Sequence, residues 1–197
     1  MIDLYDELHA AELGVTARHR TDLYRAIGLR HAELRAMRFG VVTALVRRDA
    51  NGSWFEPCDR DERGASEVYV VPVCVARPGT ERVTPIVHDL VAWQPHDPCA
   101  MMRRTGDGLV LGALPVLLAQ MGDPLHLVPT ALEWMRCRGK AACLLTFNHA
   151  DAVTALAMCE ELVVTDADLA RRVDAALRPP PAKRGYTIRT ASKEYVA

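Results

Sequence analysis

Three short apolar runs, each followed by a stretch of helical periodicity, constrain this chain more than any other feature. Residues 125–128 (LHLV) precede TALEWMRCR, residues 141–147 (AACLLTF) precede HADAVTALAM, and residues 161–165 (ELVVT) precede DLARRVDAAL. A strand that is apolar at nearly every position has both faces buried, and the helix after it supplies one of the covers. Three such units in a row predict a parallel sheet with right-handed helical crossovers. Ahead of them, LVLGALPVLLAQM reads as a short helix interrupted near Pro115. Behind them, RPPPAKR stops the last helix, and GYTIRT supplies either an edge strand or a loose end.

The earlier part of the chain follows another pattern. Within residues 2–37, Leu4, Leu8 and Ala11 recur at helical spacing, and Gly14 breaks the run. Thr16 then caps a second helix, which carries Leu23, Ile27 and Leu34 until Gly40 stops it. From residue 41 the pattern turns to antiparallel sheet: VVTALV, an Asn51-Gly52 turn, SWFEP as the return strand, and a polar loop from Cys58 to Ser66. EVYVVPVCVA (residues 67–76) is the strongest strand, with Pro72 predicting an edge position or a bulge. TPIVHDLVAW is another strand, ending at Trp93, and QPHDPC reads as a turn leading into MMRRTGDG. The expected fold class is α+β, with N-terminal helices in residues 1–39 and a small antiparallel sheet in 40–108. An α/β half with parallel strands fills 109–180, and a basic tail occupies 181–197.

Half of the 197 residues are hydrophobic and a quarter are charged, which suffices for a packed core. The net charge of −1 leaves no global footprint for nucleic acid. The tail differs: Lys183, Arg184, Arg189 and Lys193 face only Glu194, four cations against one acid, or +3. No run reaches the roughly 20 apolar residues of a membrane span. The opening MIDLYDELHA lacks the basic-then-apolar order of a signal peptide. The six cysteines form no CxxC pair, and Cys74 and Cys143 sit in apolar runs. A cytoplasmic protein with reduced thiols and no membrane partner is the expectation.

At the end of the third apolar run stand Asp166 and Asp168, where an α/β sheet places its ligands. This order of three strand–helix units and an Asp-x-Asp resembles the Toprim domain of primases and topoisomerases. Upstream, VVTALVRRDANGSW, VHDLVAW and RRTGDGLVLGAL are similar to the segment preceding Toprim in phage-type primase proteins. The strings DLVAW, RRTG and LEWMRCRGK are also similar to a group of alphaproteobacterial prophage and mobile-element proteins. The likeness covers roughly residues 40–178.

The resemblance implies three carboxylates around Mg²⁺: a glutamate closing the first strand and the Asp-x-Asp closing the third. Asp166 and Asp168 match that pattern, but Pro129-Thr130 stands where the family has Glu-Gly. Glu133 is the nearest acid, displaced by about one helical turn, or roughly 5 Å. Read from the residues alone, Thr165 or Asp166 is a helix N-cap worth about 1 kcal/mol. Asp168 then lies in the first turn, where the helix dipole favours an anion. Capping accounts for both aspartates without chemistry, so no tightly held cofactor is expected; Mg²⁺ enters only if the chain is a phosphoryl-transfer enzyme.

Other constellations have two readings each. His88, Asp89, His96, Asp97 and Cys99 are dense in metal-ligand types, yet their spacing matches no familiar zinc site. Arg103 and Arg104, beside Gly106 and Gly108, make either a solvated turn or an anion-binding loop. Arg136, Arg138 and Lys140 end a helix, where cations suit the dipole or, with Arg171 and Arg172, form a patch. No P-loop, dinucleotide fingerprint or nucleophile elbow occurs. The functional expectation is a non-catalytic, degenerate primase-like accessory protein of a prophage or mobile element, binding protein or nucleic acid. Nucleic acid would meet Arg103, Arg104, Arg136, Arg138, Lys183 and Arg184. The alternatives are a Mg²⁺-dependent enzyme using Asp166, Asp168 and Glu133, and an inhibitor of a host defence system.

Overall fold

The computed structural model describes residues 3–36, 41–75, 86–178 and 187–190. Helix α1 (Leu4–Leu13) starts at Asp3, whose carboxylate accepts the Tyr5 and Asp6 N–H groups, and ends at Gly14. Thr16 caps α2 (Ala17–Ile27) in a reciprocal box with His19. That helix does not run on towards Gly40. Gly28 takes a left-handed φ of 81° and ends it, and α3 (His31–Ala36) begins three residues later. Gly40 itself lies outside the described residues. His19 also anchors α2 to the sheet that follows: Nδ1 meets the Thr43 hydroxyl at 3.0 Å and Nε2 meets Glu67 at 3.0 Å.

Five strands then form an antiparallel sheet: β1 (Val42–Arg48), β2 (Phe55–Pro57), β3 (Ser66–Cys74), β4 (Val87–Gln94) and β5 (Asp97–Arg103), ordered β2-β1-β3-β4-β5. The Asn51-Gly52 turn is built on Asp49, which accepts N–H bonds from Asn51 and Trp54, with Gly52 at φ 68°. These backbone donors, Trp54 first, hold the Asp49 carboxyl below its usual range. Residues 97–103 correct the expected turn, because they form a full strand. Gln94 pairs with Asp97, so only Pro95 and His96 make the connection. Strand β3 is central, yet Pro72 fits, since pairing with β1 stops at Val42–Val70 and only β4 lies beside Pro72. A register shift follows at Val73/Cys74.

Alternation sends the two faces of this sheet to different cores. Val42, Val46, Val68, Val70, Leu90 and Met102 pack with Leu4, Leu8 and Ala11 of α1. Tyr69, Val71, Val91 and Trp93 pack with Leu23 and Ile27 of α2 and with the second half of the chain. Burial on both faces explains why β3 and β4 read as nearly unbroken apolar runs.

The second half runs β6 (Val110–Leu111), α4 (Ala113–Ala119), β7 (Leu125–Leu127), α5 (Ala131–Arg136), β8 (Cys143–Leu144), α6 (Ala150–Ala157), β9 (Glu161–Val164), α7 (Ala167–Leu177) and β10 (Thr187–Thr190). Pro115 is the third residue of α4 and interrupts nothing, because the first turn of a helix has no intrahelical use for its N–H groups. Strand β9 lies between β7 and β10, parallel to both. The middle unit is shorter than its sequence suggests. Ala142 bridges Leu127 in parallel, with Val128 N–H on Ala142 O at 2.9 Å, but Cys143 and Leu144 pair antiparallel with β6.

The chain passes from β7 to β8 in one direction and from β8 to β9 and β10 in the other. Right-handed crossovers then require α5 on one face and α6 and α7 on the opposite face. The packing agrees: Trp134 and Met135 of α5 join Trp93 and Leu23, whereas Leu156, Leu169 and Val173 join Leu127, Leu162 and Val164. Among the described residues no helix is long and apolar enough to cross a membrane.

Gly112 joins the two halves at φ 89°, and a Cβ there would meet Ala141 O at 2.4 Å and Trp134 Nε1 at 2.9 Å. Gly112→Ala should therefore cost more than the roughly 1–2 kcal/mol of left-handed strain alone. Gly28→Ala, with nothing within 4 Å of the added methyl, should cost only that strain; urea melts of both variants check the order. The six cysteines are free, with Cys99 exposed and Cys143 buried. Burial pushes the Cys143 thiol up to about 12 and Cys74 up to about 11. An aromatic disulfide reagent at pH near 8 should thus label Cys99 in the native protein and Cys143 only after unfolding.

Candidate functional site

Adjacent strands β7 and β9 send their outgoing connections to opposite sides, and such a switch point leaves a crevice at the strands' carboxyl ends. Pro129 and Asp166 stand at that crevice. Asp166 has extended backbone, φ −120°, and its Oδ1 accepts the Leu169 N–H at 2.7 Å as the N-cap of α7. Asp168 lies one residue into the helix and pairs with Arg171, both side chains being exposed. Thr130 caps α5 by accepting the Glu133 N–H at 3.2 Å, which places Glu133 in the first turn rather than at the end of β7.

Mg²⁺ keeps several of its waters and is usually held by one or two carboxylates in near-octahedral geometry. Here one aspartate is held by a backbone N–H, the other by a guanidinium, and the strand position opposite is a proline. As placed, these side chains do not make the three-carboxylate set that the resemblance implies. Among the described residues no group of three His, Cys, Asp or Glu side chains gathers to hold a metal.

A second carboxylate does have a built environment. Asp89, on β4, is 0% exposed. Its Oδ1 accepts the N–H groups of Leu90 (2.8 Å), Arg104 (3.1 Å) and Thr105 (2.9 Å), and its Oδ2 those of Gly106 (2.9 Å) and Gly108 (3.0 Å). The RRTGDG stretch thus wraps an anion with successive backbone N–H groups, and the anion is the chain's own side chain. Its glycines sit in close quarters, Gly106 with a left-handed φ of 87°. A Cβ on Gly106 would stand 2.1 Å from Trp54, and one on Gly108 would stand 2.7 Å from the Asp89 Cβ.

The arginines of this loop face inward too. Arg103 donates from Nη1 to the carbonyls of Gly106 (3.2 Å) and Gly108 (3.3 Å) and lies 5.0 Å from the centroid of Trp54. Arg104 makes a two-pronged pair with Glu7 of α1, both bonds 2.9 Å, and only 14% of its side chain is exposed. Arg136 donates to the Ala26 carbonyl at 2.8 and 3.3 Å, filling an open acceptor in the last turn of α2. Arg138, at φ 54°, sits 3.8 Å from Glu33 and is mostly exposed. Lys183 and Arg184 lie outside the described residues. Of the His/Cys group, Asp89 turns into the loop while Asp97 accepts the Ala100 N–H at 3.3 Å.

No family model, curated protein or solved structure matches this chain.

The sequence carried both halves of the Asp89 arrangement, an acid in VHDLVAW and a glycine-rich RRTGDG, without the pairing between them. An acid inside an otherwise apolar strand was the available signal, since such a residue needs donors when buried. Asp89→Asn puts an amide NH₂ against two or three of the N–H donors. It should lower stability by about 3 kcal/mol or more, read by chemical denaturation.

Proposed function

We propose that this chain is a non-catalytic, degenerate primase-like accessory protein of a prophage or mobile element, acting in the cytoplasm by binding nucleic acid or protein. The carrying observation is the engagement of both switch-point aspartates: Asp166 caps α7 and Asp168 pairs with Arg171. Pro129 stands where the Toprim resemblance calls for a glutamate. Metal-dependent phosphoryl transfer needs carboxylates that fix the ion's coordination geometry, and Asp166 Oδ1 is engaged by the Leu169 N–H. Free cysteines support a reducing compartment.

Binding must then come from local surface, because the net charge is −1. Arg103, Arg104 and Arg136 hold the loop and the helices together, so contacts they make to a partner compete with those bonds. Arg138 is mostly exposed and its pair with Glu33 spans 3.8 Å, so it gives up least on meeting a partner; the tail cations Lys183 and Arg184 complete the proposed set.

Calorimetric titration with Mg²⁺ and Mn²⁺ tests the proposal. No saturable binding is expected, and Asp166→Ala should only lower stability, by about 1 kcal/mol. Saturable binding that vanishes in Asp166→Ala would replace this reading with a metal-dependent phosphoryl-transfer enzyme.

A further inference from the structure

Beyond β8 the chain leaves the sheet as Leu145, Thr146, Phe147 and Asn148. These residues border an open groove of about 530 Å³, whose other wall is Arg172, Ala175 and Ala176 on α7. The two alanines leave the space.

The groove's chemistry is specific. The Arg172 guanidinium carbon lies 4.1 Å from the centroid of Phe147. Cation–π attraction holds the guanidinium over the ring, and its five N–H donors suit an oxyanion. Its neighbours on α7 are neutralised: Arg171 pairs with Asp168, and Arg178 with Asp174 at 2.7 Å. No carboxylate pairs with Arg172 among the described residues. Thr146 Oγ1 accepts the Asn148 N–H at 3.4 Å, which leaves its hydroxyl proton to donate. Asn148 adds an exposed amide. Guanidinium planes and phenyl rings are also the surfaces on which nucleobases stack.

We propose that this groove binds a phosphate ester carrying a planar base, that is, a nucleotide, free or as one unit of a single strand. Arg172 takes the phosphate, the Arg172–Phe147 platform takes the base, and Thr146 and Asn148 fix the orientation. The proposal deepens the nucleic-acid branch of the function above and rests on it.

The experiment measures binding of thymidine monophosphate and of a fluorescein-labelled oligothymidylate at several salt concentrations. The intact chain is compared with Arg172→Ala, Phe147→Leu, Ala176→Leu and Arg171→Ala, each checked for a native circular dichroism spectrum. Arg172→Ala should weaken oligonucleotide binding about tenfold and reduce the slope of log K against log salt by about 0.7, one single-strand phosphate. Ala176→Leu fills the groove without changing charge and should weaken binding comparably, and Phe147→Leu should cost about fivefold. Arg171→Ala removes the same charge outside the groove and should stay within about twofold of the wild type. Binding of the mononucleotide marks a free-nucleotide site, and binding of the oligonucleotide alone marks a strand site; both support the proposal. An equal loss in Arg171→Ala overturns it in favour of diffuse charge. Strong oligonucleotide binding that is indifferent to Arg172→Ala and Ala176→Leu overturns the groove but leaves the nucleic-acid reading standing. If neither ligand binds at low salt, both fall and a protein partner takes their place.

Discussion

The Asp89 carboxylate organises this structure. A buried, hydrogen-bonded carboxylate is stable only while its donors stay in place, and here they are all backbone N–H groups, four of them from one loop. Those donors set the path of residues 104–108, and that path aims the chain from β5 towards β6. The same loop directs the Arg104 guanidinium at Glu7, which draws α1 onto the outer face of the sheet. Trp54, pressed on Gly106 and on Arg103, closes the loop from the side of the β1–β2 hairpin. One acid thus coordinates the N-terminal helix, the hairpin and the entry to the parallel half.

Much of this architecture was legible from pattern. The strand–helix alternation after residue 124 gave the parallel neighbours β7 and β9 because continuous apolarity and ten-residue helices have few other meanings. What was not legible has physical causes. Strand β5 reads DPCAMMR, with a proline, a cysteine and two methionines in place of β-branched residues, so sheet neighbours rather than propensity make it a strand. Gly28 was passed over because the apolar spacing continues through Leu34 across the break. Strand β8 is cut to two residues because its remaining apolar positions serve the inner core and the groove instead of a ladder.

Charge was the least legible property. A sequence shows where cations are, and not which acceptors the fold brings to them. Arg103 and Arg136 hold backbone carbonyls and Arg104 holds Glu7, acceptors that stand far from them in the sequence or give no pattern there. Arg172 looked like one more cation on a solvated helix, and only its position over Phe147 sets it apart. The Asp-x-Asp shows the reverse: its capping role was visible in the residues themselves, since an acid before a helical run has a local use wherever the fold goes.

The strand order of the two sheets has a kinetic meaning. Each neighbour pair in β1–β5 apart from the β1–β3 contact closes over a single connection, so the meander is assembled from short-range contacts. By contrast β9 must find β7 across the whole of α5, β8 and α6, and that closure is entropically slower. During synthesis the antiparallel sheet and its carboxylate-bound loop can therefore mature first and serve as the template against which the later strands dock.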